Sequence, residues 1–340
     1  MIVALGNLYY YPLKLYVFIA SYLYFRKLRV VGRENVPIKG PLIFAINHQN
    51  ALLDALLLSV LSVRNPHFLT RGDIFKNKFV DKLLRGVKML PIYRIRDGFD
   101  SVKMNAPIFE AAKKILKKGG VVGIFPEGSH SLLYKIRPLK KGIARIAFMS
   151  EASSDFDLNL QIIPIGIQYE SHFFTWGRTM VSFGKPIKVS DYKEIYINDQ
   201  NKAHEKLLEN ISDELKSLVL HVEDKADYDQ VLKAFHEKRV FKTNLVNQLR
   251  ADQALVDAIV NGSDFIEQPD KKNVWIGFVR KVWDYLWKVV GFIPKYIVDR
   301  LVMKTTKDPH FYGTMRFAYS IFLYPIFYLI VYFVIKLAVL

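Results

Sequence analysis

The chain has 340 residues, 51% of them apolar and 14% aromatic, with a formal net charge of +17 and no cysteine. This excludes disulfides, iron–sulfur clusters and a thiol nucleophile, and the eight histidines are too scattered for a zinc site. Such a length buries a sizeable core, and the high but not extreme apolar content fits one main domain with membrane-associated appendages rather than a polytopic protein.

Residues 1–25 contain a single charged residue, Lys14, and are rich in Tyr, Leu and Phe. This length crosses a bilayer or lies along its surface. A cleaved signal peptide is a poor reading, because no basic stretch precedes the apolar run and no small-x-small site follows it. Arg26, Lys27, Arg29 and Arg33 come after it, where they favour an anionic cytoplasmic surface. A buried amphipathic helix of the globular domain is the alternative.

An alternation of strand and helix signals follows. Residues 41–46 form a short apolar run that reads as a buried strand, and residues 51–61 as a helix with Asn50 at its N-cap. A helical pattern covers residues 107–118. Residues 120–125 are a second strand, ended by Pro126, and residues 160–167 a third. The alternation predicts an α/β sheet with helices on its faces. Residues 191–270 are polar and helix-like, with no chemistry legible in them. Residues 274–301 hold three of the four tryptophans, Trp275, Trp283 and Trp287, interleaved with Lys and Arg, which suits a membrane interface. Residues 317–335 then run without a charge, long enough for a transmembrane helix that Pro325 kinks. A buried hairpin is the other reading.

Charge is unevenly spread. Residues 64–96 hold nine Lys/Arg against two acids, and residues 113–145 hold nine against one. Such a field attracts anions: lipid headgroups, phosphorylated substrates, acidic acyl carriers. Nucleic acid is the weaker partner, since no nucleic-acid motif accompanies the charge.

The most informative stretch is Asn47-His48-Gln49-Asn50-Ala51-Leu52-Leu53-Asp54. A histidine titrates near neutral pH and can act as general base, and a nearby aspartate can fix its tautomer. Alone, this spacing also describes a surface histidine and a helix N-terminal aspartate favoured by the dipole. Three blocks follow in order: Leu90-Pro91-Ile92-Tyr93-Arg94, Ile124-Phe125-Pro126-Glu127-Gly128 and Ile162-Ile163-Pro164-Ile165. His48 directly follows a strand, at the edge where open α/β sheets bind ligands. His48 and Asp54 do not share a helical face, so the loop must bring them together. Gly128 permits a tight turn that displays Glu127.

Together the four blocks resemble the glycerolipid acyltransferase family, which includes glycerol-3-phosphate and lysophosphatidate acyltransferases. The resemblance runs from about residue 32 to residue 187, and a segment often seen in the family matches Phe183-Gly184-Lys185-Pro186-Ile187. It implies a mixed α/β sheet flanked by helices, with an N-terminal membrane helix and a C-terminal helical and membrane extension. The expected divisions are residues 1–30, 31–190, 191–272 and 273–340. By resemblance, His48 is the catalytic base and Asp54 holds it, although the family spacing is His-x4-Asp and here five residues intervene. Arg94 matches the arginine implied to bind acceptor phosphate, with Arg96 close by; an arginine fork suits that task. Glu127 and Gly128 belong to acceptor binding. The family usually continues Thr-Arg-Ser where this chain has Ser129-His130-Ser131, so phosphate neutralisation passes to Arg137, Lys140 or Lys141, the last two just before a helix start. The apolar fourth block is associated with the acyl chain or its carrier.

The implied reaction is direct attack of a hydroxyl of glycerol-3-phosphate or 1-acylglycerol-3-phosphate on an acyl thioester. The donor is acyl-CoA or acyl carrier protein. No metal or cofactor is expected, and membrane lipids are the surroundings of a catalytic domain on the cytoplasmic face. No Gly-x-Ser-x-Gly elbow supplies a covalent nucleophile. Two alternatives remain: an acyltransferase for a phosphate-free lyso-lipid such as a lyso-aminolipid, and a non-catalytic lipid-binding membrane protein of the same fold.

Overall fold

The computed structural model describes residues 2–93, 105–171, 176–223, 227–263 and 274–339. Its strands are β1 (Lys27–Val31), β2 (Leu42–Ile46), β3 (His67–Arg71), β4 (Met89–Ile92), β5 (Val121–Ile124), β6 (Gln161–Tyr169), β7 (Arg178–Phe183) and β8 (Ile187–Lys188). They form one sheet in the order β1-β7-β6-β2-β5-β3-β4, with β8 also on β6. The run β6-β2-β5-β3-β4 is parallel throughout. β7 and β8 lie antiparallel to β6, and β1 runs parallel to β7, which makes the sheet mixed.

The helices, in chain order, are α1 (Ile2–Tyr24), α2 (Ala51–Leu61), α3 (Lys78–Gly86), α4 (Asn105–Lys117), α5 (Gly142–Ala152), α6 (Lys193–Asn198), α7 (Gln200–Leu218), α8 (Tyr228–Lys238), α9 (Leu245–Asn261), α10 (Val274–Thr305) and α11 (Tyr312–Val339). All five residues of β2 are buried, as expected for a parallel strand covered on both faces. Ile43, Ala45, Val122 and Ile124 point to the layer of α4, α5 and α7. Leu42, Phe44, Ile46 and Ile163 point to the other layer, where α2 meets Val17 of α1 and Phe317 of α11. α7 presents Ala203, Leu207, Ile211 and Leu215 at four-residue steps, one stripe turned into the core. α8 and α9 close a smaller cluster around Val231, Phe235, Leu255 and Val256, joined by Tyr134 and Leu220.

α1 is packed on one side only. Tyr10, Val17 and Ser21 are buried, while Leu15, Ile19, Tyr22 and Leu23 are exposed. Among the described residues, one helical stretch is long and apolar enough to cross a membrane, Pro309–Leu337, and 6% of its most apolar window is buried.

The expected cap at Asn50 takes a different form. Asn50 occupies the N-cap position, but its side chain makes no capping bond. Ala51 has a left-handed φ of 42°, so the chain turns sharply where it enters α2. The amide of Asn50 is taken instead by Asp54 Oδ2 at 2.8 Å, and that of Leu53 by Thr314 Oγ1 at 3.2 Å. The helix start is capped by its own aspartate and by a threonine from α11.

Candidate active site

The C-terminal edge of the parallel strands gathers the site. β2 ends at Ile46, and Asn47 prolongs its pairing with a side chain. Its Nδ2 donates to the Ile167 carbonyl at 3.1 Å and its Oδ1 accepts from the Ile167 amide at 2.7 Å. This clamp fixes where His48 leaves the sheet. His48 Nδ1 then lies 2.9 Å from Asp54 Oδ2. That oxygen also accepts the amides of Gln49 at 3.0 Å and Asn50 at 2.8 Å, and Tyr169 donates its hydroxyl to Asp54 Oδ1 at 2.7 Å.

Asp54 is fully buried, and these four donors are what a buried carboxylate requires. Burial, then the neighbouring Asp54, push the Tyr169 phenol well above its ordinary range, so Tyr169 stays a donor. With Nδ1 on the carboxylate, Nε2 is the nitrogen left to face a substrate. The His48 ring stacks on Phe125, centroids 4.1 Å apart. Ring orientation is thereby fixed from two directions.

β5 ends beside β2, and Phe125-Pro126 carries the chain to Glu127. Gly128, at φ 75°, turns it back, and a Cβ there would sit 3.3 Å from Lys140 Cγ. Glu127 is buried. Its Oε1 accepts the His48 amide at 2.9 Å and its Oε2 accepts Arg137 Nε at 2.9 Å. Burial raises the Glu127 carboxyl above its usual range, and these donors partly offset that. Arg137 also donates to the Ser129 hydroxyl at 2.9 Å and to the Ser129 carbonyl. Glu127 is thus a brace between the His48 backbone and the loop of residues 128–137, with Arg137 its partner.

His130 stands where the family pattern has an arginine. Its ring lies 5.6 Å from that of His48 and 4.9 Å from that of Phe311. Burial, followed by the charges of His48 and His310, lowers its pKa to about 4. It is neutral at physiological pH and supplies no cation in the arginine's place.

The other basic candidates divide. Lys140 donates its amide to the Pro126 carbonyl at 2.7 Å, and its exposed side chain passes Gly128, beside the Glu127 turn. Lys141 turns toward α7, 3.5 Å from Glu205. Arg94 and Arg96 lie outside the described residues, as β4 ends at Ile92 on this same edge. Several cations of the two basic stretches serve the fold. Arg64 donates to the carbonyls of Pro37, Gly40 and Gly119, and Arg85 pairs with Asp81 within α3. The total positive charge therefore overstates what is turned toward a substrate.

Three contributors escaped the sequence reading. Asn47 was visible only as part of the motif. Tyr169 closes an apolar strand and looks like core. Thr314 lies 264 residues from Asn50, whose carbonyl accepts its hydroxyl at 2.9 Å. Only the parity of Tyr169 along β6, on the face shared with Ile163, Ile165 and Ile167, carries any signal.

Residues 27–168 match the Acyltransferase family. This chain carries an acyltransferase domain. The 1-acyl-sn-glycerol-3-phosphate acyltransferase of Bacillus subtilis (strain 168) is 27% identical over 172 residues, 49% of this chain and 77% of that protein. Glycerol-3-phosphate O-acyltransferase 2 of Saccharomyces cerevisiae is 27% identical over 168 residues, again 49% of this chain but only 21% of the yeast protein. Among solved structures, the 1-acyl-sn-glycerophosphate acyltransferase PlsC from Thermotoga maritima is similar at a TM-score of 0.40 and 21% identity, covering 56% of this chain and 72% of that one. The acyltransferase domain and these relatives mark the chain as an acyltransferase enzyme. The match ends before β7, so α10 and α11 lie outside it although Thr314 reaches the site.

Proposed function

We propose that this chain transfers an acyl group from a thioester donor, acyl-CoA or acyl carrier protein, to a hydroxyl of glycerol-3-phosphate or 1-acylglycerol-3-phosphate. The observation that carries the reading is the 2.9 Å contact of His48 Nδ1 with a buried, fully bonded Asp54 at the strand-end edge. His48 Nε2 removes the acceptor proton as the oxygen attacks the thioester carbonyl. The tetrahedral intermediate collapses and expels the thiolate, which leaves as the thiol with the proton held by His48. Asp54 steadies the imidazolium, and Tyr169 and two amides hold Asp54. Glu127 and Arg137 keep the His48 backbone and the residue 128–137 loop together. Arg94 and Lys140 bind the acceptor's phosphate.

The domain works at a membrane. Residues 317–335 span it, with Lys304, Lys307 and Arg316 on the cytoplasmic flank by the positive-inside tendency. The exposed apolar side of α1 rests in the interface. The decisive assay offers a labelled acyl thioester to the purified protein with glycerol-3-phosphate, lysophosphatidate and an uncharged lyso-lipid. Transfer to either phosphate acceptor, lost in His48→Ala, is the expected result. Inertness of all acceptors overturns it. The neutral His130 favours a second reading, a phosphate-free lyso-lipid acceptor, and acylation of the uncharged lyso-lipid alone would establish that instead.

A further inference from the structure

A cavity of about 1410 Å³ lies between α1, α8, α10 and α11, beneath the edge of the sheet at β7. Pockets for small molecules run about 300–1,000 Å³, so this one suits a longer, bulkier occupant. Its walls are largely apolar: Leu23 and Tyr24 from α1, Phe292 from α10, Ile321 and Tyr324 from α11. Arg26, Glu170, His236, Arg239 and Lys295 also line it, so charged groups stand among the apolar ones.

Two observations say what occupies it. The first is the wall formed by α11. The helix turns Ile321 and Tyr324 inward, while Phe322, Ile326, Leu329 and Ile330 on its other sides are exposed and apolar. The cavity is therefore separated from a bilayer by one helix. α1 forms a second such partition, with Leu15 and Tyr22 outside and Ala20 inside. The second is continuity with the catalytic edge. Leu132 and Tyr134 line the cavity and belong to the loop that Arg137 and Glu127 brace. Ser131, next to Leu132, donates its amide to the His48 carbonyl at 2.9 Å. Tyr24, also in the wall, packs on Phe317 at 5.1 Å, two turns or less from Thr314 at the start of α2.

We infer that this cavity holds the acyl chain already present on the acceptor, so that the acceptor is a mono-acylated lipid that enters between α1 and α11 from the bilayer. Its chain lies against Leu23, Phe292 and Ile321 while its free hydroxyl reaches His48 past Leu132. α10 and α11 build this cavity from outside the matched domain, which makes the C-terminal segment part of the substrate site. The inference rests on the acyl-transfer reading and decides between its acceptors.

The test uses the full chain in detergent or nanodiscs. Lysophosphatidates with long and short acyl chains, and glycerol-3-phosphate, are compared as acceptors for wild type, Ala20→Trp and Leu23→Trp. Leu23 is exposed, so its variant keeps the test alive if Ala20→Trp fails to fold. Native mass spectrometry reads long-chain lysophosphatidate binding independently of turnover. The expected result is binding to wild type that the tryptophan variants lose. With it, kcat/KM for the long-chain acceptor falls by about tenfold or more, while the short-chain acceptor changes by less than about twofold. Equal loss for both chain lengths, or unchanged binding in both variants, overturns the inference. So does glycerol-3-phosphate turned over while long-chain lysophosphatidate is not, which leaves acyl transfer itself standing. If wild type acylates none of these acceptors and no uncharged lyso-lipid either, acyl transfer falls and the inference falls with it.

Discussion

His48 is held by contacts that leave it little freedom: Asp54 on one ring nitrogen, Phe125 on one face, Glu127 on its backbone amide. His48→Ala should therefore lower kcat by about 10²–10⁴-fold, the usual worth of a general base, with the melting temperature nearly unchanged. Activity within a few-fold of wild type at equal protein level would remove His48 from the mechanism. Tyr169→Phe tests the support of Asp54. It deletes one donor to a buried carboxylate, a loss of about 1.5–3 kcal/mol in stability; thermal melts measure it, and an unchanged melt would show that the bond contributes nothing. His130 gives a pH prediction. Its pKa falls from 6.5 to about 4 on folding, so between those values the unfolded chain binds a proton that the folded chain does not. Stability from this group is complete above the unfolded value and is lost as pH falls from 6.5 toward 4. Urea titrations at pH 7.5 and pH 5 should show a larger drop for wild type than for His130→Asn. Equal drops would mean that His130 is solvated and charged like any surface histidine.

At the scale of elements, the start of α2 depends on α11. Thr314 donates to the Asn50 carbonyl and accepts the Leu53 amide, closing the turn that carries His48 and Asp54. Thr314→Val removes the hydroxyl that bridges these two groups and leaves only their own bond, Leu53 amide to Asn50 carbonyl at 3.0 Å, a cost of about 1 kcal/mol. Because the turn it loosens holds the proposed catalytic pair, kcat should fall more than KM rises, and Thr314→Ser should restore both. A Thr314→Val enzyme with wild-type kcat would reduce the threonine to a packing residue. The same turn brings Asp54 back to His48 across five intervening residues, and it bends at Ala51, whose φ of 42° is unusual for a residue with a side chain.

At the scale of the molecule, the C-terminal segment is joined to the domain by its packing. Phe317 is fully buried in the same cluster as Phe44 and Leu58. A chain ending near residue 273 should lose much of its membrane association, keeping what α1 provides. It should also lose nearly all activity, because Thr314, Phe317 and the cavity wall go with it. Fractionation and acyl-transfer assays of that truncation check both parts. A fully active truncation would make α10 and α11 a mere anchor. Carbonate treatment of the full-length protein separates a span from an interfacial helix: retention in the pellet is expected, and complete release would replace the span with a hairpin lying on the surface.

Strands β2, β5 and β6 were legible because each is a short apolar run with a turn signal near its end, and burial on both faces demands such runs. The His48, Asp54 and Glu127 positions were legible because residue type and order survive in sequence even when the spacing changes. The strands at the two sides of the sheet, β1, β3, β4 and β7, were not singled out, since Lys27, Arg29, Arg71 and Arg178 break the apolar pattern of three of them and the four-residue β4 contains Pro91. By itself the sequence determined an α/β domain with a histidine and a carboxylate at a strand end, a strong positive charge and an apolar C-terminal helix. Tertiary structure alone decided that Asp54 rather than Asn50 caps α2, that His130 is neutral, and that Tyr169 and Thr314 complete the site. Each of these depends on burial or on a hydrogen bond between residues more than a hundred positions apart, or on a backbone angle at one residue. Residue spacing along the chain carries no record of such distances, because they are set only when the helices close over the sheet.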